Sequence, residues 1–237
     1  MNLIKKLILL AIASSSLLLI SFVSSAETIA VSKKNNIKNI QSNLEENKAA
    51  QQLSKTLSST LTYRATFKQS VFQEDSDRPE VTTGEFLIQR PNHFSWKTRQ
   101  PFEQSIIADG ANLWTYDPEL EQATLQNQQS VLADSPLLLL TSSVDSLMDA
   151  FRVTEIENKD NNKQQLYALY PKKNSLFENV HLLIEANKIK EIFLVDTLGS
   201  RTSVVFDNIK INESINVNEF IFVPPKGIDI IDSRESN

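Results

Sequence analysis

Side chains able to do covalent or proton chemistry are scarce in this 237-residue chain, which has no cysteine and two histidines, His93 and His181. Neither histidine stands in a metal-ligand spacing such as H-E-x-x-H, and no G-x-S-x-G turn offers an activated serine. The four glycines, Gly84, Gly110, Gly199 and Gly227, are too dispersed for a phosphate-cradling loop. Asp117, Glu119 and Glu121 come nearest to paired carboxylates, but they flank Pro118 in a turn-like run where solvated side chains are the rule. No catalytic group, metal site or cofactor is expected, and His93 is expected to face solvent.

One group poses a different chemical question. In Gly84-Glu-Phe-Leu-Ile-Gln-Arg90, Phe86, Ile88 and Arg90 share one face of a strand because side chains alternate with period two; Glu85, Leu87 and Gln89 share the other. Pro91-Asn92 then makes a turn, and Phe94 and Trp96 resume on a common face. A hairpin would place a guanidinium on a wall of four large apolar side chains. A desolvated charge has to be paired or hydrogen-bonded. Two readings of Arg90 follow: it leans into water from a strand end, or its five donors clasp backbone carbonyls of whatever covers the wall.

The elements that must position this wall follow from periodicity. Ser42 and Glu45 have capping-box spacing, and Leu53, Leu57 and Leu61 recur every four residues, with Ala49 and Ala50 beside them. This predicts a helix over 43–59. Tyr63 to Val71 alternates as a strand, the 84–96 hairpin follows, and strands over 104–108, 112–116 and 121–125 are separated by the turn dipeptides Asp109-Gly110 and Asp117-Pro118. Ser135-Pro136 starts a helix carrying Leu137, Leu138, Leu139 and Leu140. A second short helix sets Val144, Leu147, Met148 and Phe151 on one stripe. Strands return over 166–170, 180–185, 189–196, 202–212 and 220–223. The tally is roughly nine to eleven strands and three short helices. Strands joined by tight turns without intervening helices imply an antiparallel meander. A long curved sheet with helices laid across it fits, closed as a barrel or left open as a half-barrel. Its apolar faces are either an ordinary core or a ligand cavity; periodicity leaves both open.

The ends and the charge narrow the setting. Lys5 and Lys6 precede an apolar run from Leu7 to Val23, and Ser24-Ser25-Ala26 supplies small residues for cleavage, so residues 1–26 read as a secretory signal rather than an uncleaved anchor. Residues 27–42 are polar without sustained period and read as a loose leader; residues 43–237 read as one domain. The formal net charge of −5, more negative once Lys5 and Lys6 are removed, argues against binding nucleic acid or anionic headgroups by bulk electrostatics.

The pattern Phe67-x-Gln69, Gly84-x-Phe86-x-Ile88-x-Arg90-Pro91-Asn92-x-Phe94-x-Trp96, Pro101-x-x-Gln104, Asp109-Gly110-x-x-Leu113-Trp114-x-Tyr116-Asp117-Pro118-x-x-Glu121-Gln122 and Phe220-x-Phe222-x-Pro224-Pro225-x-Gly227 resembles the periplasmic outer-membrane lipoprotein carrier proteins, the LolA family. The resemblance implies a mainly β fold with a few α-helices, an open antiparallel half-barrel covered by an α-helical lid. It implies a periplasmic chaperone, not an enzyme, expected to be a monomer. Such a chaperone takes acylated lipoproteins from an inner-membrane ABC transporter of the LolCDE type to an outer-membrane receptor, LolB or an equivalent. It also implies that Arg90 latches the lid, that Phe86, Ile88, Phe94 and Trp96 bind acyl chains, and that Leu53, Leu57, Leu137 to Leu140, Leu147 and Phe151 belong to lid helices. A periplasmic sensor of the RseB kind, which shares the half-barrel and its lipid-binding face, is the alternative. A lipid esterase would need a nucleophile and base that the inventory does not supply.

Overall fold

The computed structural model describes residues 25–73, 76, 78–132, 144–157 and 163–234. Two compact units are present, Met1–Gln41 and Ser42–Asn237. Helix α1 (Ser25–Ser58) begins in the first and ends in the second. No helix among the described residues is long and apolar enough to cross a membrane.

The second unit is built on one 12-stranded sheet. Its strands are β1 (Thr62–Phe72), β2 (Glu80–Gln89), β3 (His93–Gln100), β4 (Gln104–Asp109), β5 (Asn112–Asp117), β6 (Gln122–Asn127), β7 (Phe151–Ile156), β8 (Gln164–Pro171), β9 (Phe177–Glu185), β10 (Lys188–Asp196), β11 (Arg201–Ile211) and β12 (Asp229–Asp232). The spatial order is β12-β6-β5-β4-β3-β2-β1-β11-β10-β9-β8-β7, so β12 and β7 are the edges and the sheet does not close on itself. Two meanders meet where β1 pairs with β11. All ladders are antiparallel except that of β12, which runs parallel to β6. Register shifts interrupt β1, β2 and β10, and such bulges bend and twist a sheet. Tight turns are set by residues that tolerate positive φ: Ala186 (48°) and Asn187 (60°) form the two-residue β9–β10 turn, and Gly110 (102°) the β4–β5 turn.

The inner face of the sheet carries the main core. Tyr63, Ala65 and Phe67 of β1, Phe86 and Ile88 of β2, Phe94 of β3, Val180, Leu182 and Ile184 of β9 and Phe206 of β11 are buried there with Ala49, Leu53 and Leu57 of α1. The four-residue spacing of those helical residues puts them on one stripe. The helix end is fastened by polar contacts. Asn212 donates from Nδ2 to Ser59 O (2.8 Å) and accepts at Oδ1 from the Leu61 amide (2.8 Å), and the Arg90 amide donates to Leu61 O (2.8 Å).

The outer face has a smaller core. Leu87, Ser95 and Ile107 lie side by side across β2, β3 and β4 and are buried, as is Phe220, the last residue of a 3-10 helix (Val217–Phe220). Phe222 packs on Trp114 (5.2 Å between ring centroids) and Tyr116 (5.3 Å). The expected strand over 220–223 is therefore not in the sheet. Its aromatic side chains cover an apolar outer surface, and that packing replaces ladder pairing until β12.

Three further expectations change. Residues 27–42, read as a loose leader, are helical within α1; polar residues of adequate helix propensity need no apolar period to continue a helix. Phe151, expected on the lid helix, opens β7 and stacks on Phe177 at 5.9 Å. The preceding helix α2 (Val144–Ala150), which contains Leu147, ends one residue earlier, where Phe151-x-Val153 switches the period to two. His93 is half-buried, edge-on to Phe220 at 5.6 Å, with Nδ1 donating to Pro91 O at 2.8 Å. Leu137, Leu138, Leu139 and Leu140 lie outside the described residues, as do residues 1–24.

Candidate functional site

The hairpin expected around Pro91-Asn92 exists, and its register pairs Phe86 with Trp96 and Ile88 with Phe94. The four apolar residues do share one face, and they are not equivalent. Phe86, Ile88 and Phe94 are buried in the core under α1; Trp96 is half-buried at its border. An aromatic cluster holds this region: Tyr63 meets Phe206 edge-on at 5.6 Å, Phe86 stacks on Phe206 at 5.5 Å, and Phe67 lies 3.9 Å from Trp96. The Tyr63 hydroxyl donates to Ile189 O at 2.7 Å, and burial pushes its pKa up.

Phe67 and Gly84, cross-strand partners, explain one another. A β-carbon on Gly84 would stand 2.0 Å from Lys97 O and 2.8 Å from the Phe67 ring. Glycine is required first because a side chain would run into the Lys97 carbonyl of the neighbouring strand, and second because the Phe67 ring, packed on Trp96, fills the space beside it.

Arg90 sits at the α1 end of this wall. It borders a gap of about 10 Å³ together with Leu57 and Thr60 from the helix end and Tyr63, Phe86, Ile88, Ile189 and Phe206 from the sheet. Burial lowers the pKa of its guanidinium. Arg90 itself is half-buried, and its backbone amide is fixed to Leu61 O. A cation beside the C-terminal turn of a helix is also favoured by the partial negative charge of the last carbonyls.

Further along the same strands the inner face opens. A cavity of about 790 Å³ is lined by Trp96, Ile106, Ile192, Leu194 and Val204, with Gln69, Thr82, Thr98 and Thr202 towards its mouth. Glu80, Val81, Pro101, Phe102, Glu103, Gln104 and Asp117 complete the rim, where Phe102 is 63% exposed. Only Trp96 of the expected acyl-chain residues lines this cavity. Ile106, Ile192, Leu194 and Val204 were not singled out by sequence; they alternate inward like any core strand, and nothing in their spacing separates a cavity wall from a packed one. Leu53 and Leu57 are buried on α1, within the same core cluster as Phe86, Ile88 and Phe94.

The remaining candidates resolve into structure. Asp117 Oδ1 accepts from the amides of Glu119 (3.0 Å) and Leu120 (3.1 Å), a turn-forming arrangement. Among the described residues no group of three or more His, Cys, Asp or Glu side chains is placed to hold a metal ion.

Comparison with known proteins identifies the family. The family model "Outer membrane lipoprotein carrier protein LolA" matches residues 58–223. The outer-membrane lipoprotein carrier protein of Pseudomonas paraeruginosa is 32% identical over 70% of this chain and 78% of its own length, and that of Pseudomonas syringae pv. syringae is 35% identical over 70% and 79%. A solved LolA superfamily protein from Nitrosomonas europaea covers 73% of this chain and 98% of its own, with 11% identity and a TM-score of 0.46. The match of the family model from just before β1 to just past the 3-10 helix, together with relatives above 30% identity over 70% of the chain, shows that the chain belongs to the outer-membrane lipoprotein carrier protein family, LolA.

Proposed function

We propose that this protein is a non-enzymatic periplasmic chaperone that shelters the acyl chains of lipoproteins in the cavity beside Trp96. We further propose that it receives them from an inner-membrane transporter of the LolCDE type and delivers them to LolB or an equivalent receptor. The observation that carries this reading is the 790 Å³ cavity with an apolar floor, inside the range of roughly 300–1,000 Å³ usual for ligand pockets. The carrier acts between two membranes, after removal of residues 1–26 and with 43–237 as the carrier domain.

Burial contributes about 0.8 kcal/mol per CH₂, so a long acyl chain gains on the order of 10 kcal/mol on leaving water. A carrier that kept all of this would not release its cargo. The closed end supplies the opposing term. Admitting more lipid requires α1 to move off Phe86, Ile88 and Phe94, and re-covering those residues favours discharge. Arg90, desolvated beside Leu57 and Thr60, latches the covered state.

The test is incubation of the purified protein with inner-membrane vesicles carrying a radiolabelled triacylated lipoprotein and an energised transporter. Intact cargo in solution, bound one to one, is expected. Cargo left on the vesicles, or recovered chemically altered, overturns the proposal.

A further inference from the structure

Lipoproteins and the phospholipids around them carry similar acyl chains, which an apolar wall holds equally well, so a choice between them has to be made at the head. The cavity beside Trp96 is not apolar throughout. Ile192 of β10 stands opposite Val204 of β11, Val204 opposite Gln69 of β1, and Gln69 opposite Thr82 of β2. All four line the cavity. One row across four strands thus runs from two aliphatic side chains to two that donate hydrogen bonds, an amide and a hydroxyl. The Thr82 hydroxyl oxygen is buried and has no hydrogen-bond partner among the described residues. A buried hydroxyl left in this way destabilises the fold, a cost that an acceptor brought in by a ligand would remove.

The rim carries charge of one sign. Glu80 lies two residues from Thr82 on the same face of β2, about 7 Å along the strand, and Asp117 stands at the end of β5. Glu103 is also on the rim, but Arg99 Nη1 lies 3.8 Å from its Oε1. Glu80 and Asp117 have amide partners instead: Gln73 Nε2 donates to Glu80 Oε1 at 3.4 Å, and the Glu119 and Leu120 amides donate to Asp117 Oδ1. None of the described residues lining the cavity is Lys, Arg or His. Phosphate sites are built the other way, from guanidinium, ammonium or converging backbone N–H groups.

We infer that this cavity selects its cargo by the head group: Gln69 and Thr82 donate to a carbonyl oxygen where an acyl chain joins its ester or amide, and Glu80 with Asp117 turns away heads that carry phosphate. The favoured ligand class is a neutral acylated glycerol or acylated amine; the rejected class is phospholipid. The inference rests on the reading of this cavity as the acyl-chain site. A carbonyl oxygen only accepts, which suits both side chains, whereas a phosphate would bring its charge towards two carboxylates with no cation on the cavity wall to offset them.

The experiment uses the purified protein in a Trp114→Phe background, which leaves Trp96 as the fluorescent reporter inside the cavity. Three soluble probes share the same chain length: dioctanoylglycerol, its ether analogue di-O-octylglycerol, and dioctanoylphosphatidylglycerol. The ester is expected to bind about fivefold more tightly than the ether, the worth of one ordinary hydrogen bond. It is expected to bind about tenfold more tightly than the phosphatidylglycerol at low salt, the gap closing as salt is added. Thr82→Val should remove most of the ester preference without lowering thermal stability, because it deletes an unpartnered hydroxyl; Thr82→Ser should keep the preference. Glu80→Gln combined with Asp117→Asn should narrow the phosphate gap and leave the ester preference. Equal affinity for ester and ether, or for the glycerol and phosphatidylglycerol probes at low salt, overturns the inference and leaves the acyl-chain site standing. Loss of stability together with ester preference in Thr82→Val marks a structural role and overturns it as well. No Trp96 response to any probe removes the acyl-chain site, and the inference with it.

Discussion

The two ends of the inner face are made from the same strands and do opposite things. At the α1 end the gap left between helix and sheet is about 10 Å³; at the other end the cavity is about 790 Å³. Following each strand between them shows how the change is made. The inward positions run Ile88, Phe86, Thr82 on β2; Phe94, Trp96, Thr98 on β3; Tyr63, Phe67, Gln69 on β1; and Phe206, Val204, Thr202 on β11. Aromatic and branched residues fill the covered end, large rings with Val204 hold the middle, and threonine and glutamine stand at the mouth. A graded face of this kind lets a helix seal one end tightly while the other stays open.

The contrast predicts that truncations at the covered end cost stability and those at the open end cost binding. Leu53→Ala removes a fully buried side chain under α1 and should destabilise by about 3 kcal/mol, measured by urea unfolding. A value below about 1 kcal/mol would mean that the helix is not seated as described. Gly84→Ala, which drives a β-carbon into Lys97 O and against the Phe67 ring, should cost about 3 kcal/mol and change the Trp96 fluorescence in a Trp114→Phe background. Tyr63→Phe leaves Ile189 O without its 2.7 Å donor and should cost about 1 kcal/mol. Leu194→Ala at the cavity wall should change stability by less than about 1 kcal/mol while weakening retention of a fluorescent fatty acid severalfold. Equal losses of stability at Leu53 and Leu194 would erase the distinction between the ends.

The smallest expected effect concerns pH. Burial lowers the pKa of His181, on the outer side of β9. The unfolded chain therefore binds a proton more readily than the folded one, so stability should fall as pH drops through the ordinary histidine value of about 6.5 and level off below the folded value. His181→Gln should flatten this part of a stability profile.

Strand positions and the hairpin at Pro91-Asn92 were legible because period-two alternation and turn dipeptides are local signals. The burial of Phe86 and Phe94 as opposed to the partial exposure of Trp96 was not, since all three alternate identically and only the position of α1 separates them. The 3-10 segment at Phe220 reads as a strand for the same reason: Phe220-x-Phe222 alternates, and its aromatic rings pack on the outer face instead of pairing in the ladder. The parallel pairing of Asp229–Asp232 with β6 depends on a chain reversal that leaves no mark in four residues.

The junction of β1 with β11 has a consequence for how the chain is made. Thr66 and its partner Asp207 are 141 positions apart, so this ladder cannot zip until nearly all of the polypeptide has crossed the inner membrane. Until then the β11-facing edge of β1 presents a bare row of amides and carbonyls, an invitation to mispairing. A nascent chain stalled before residue 201 should therefore aggregate or be degraded, whereas one stalled after residue 211 has the strand that completes the junction.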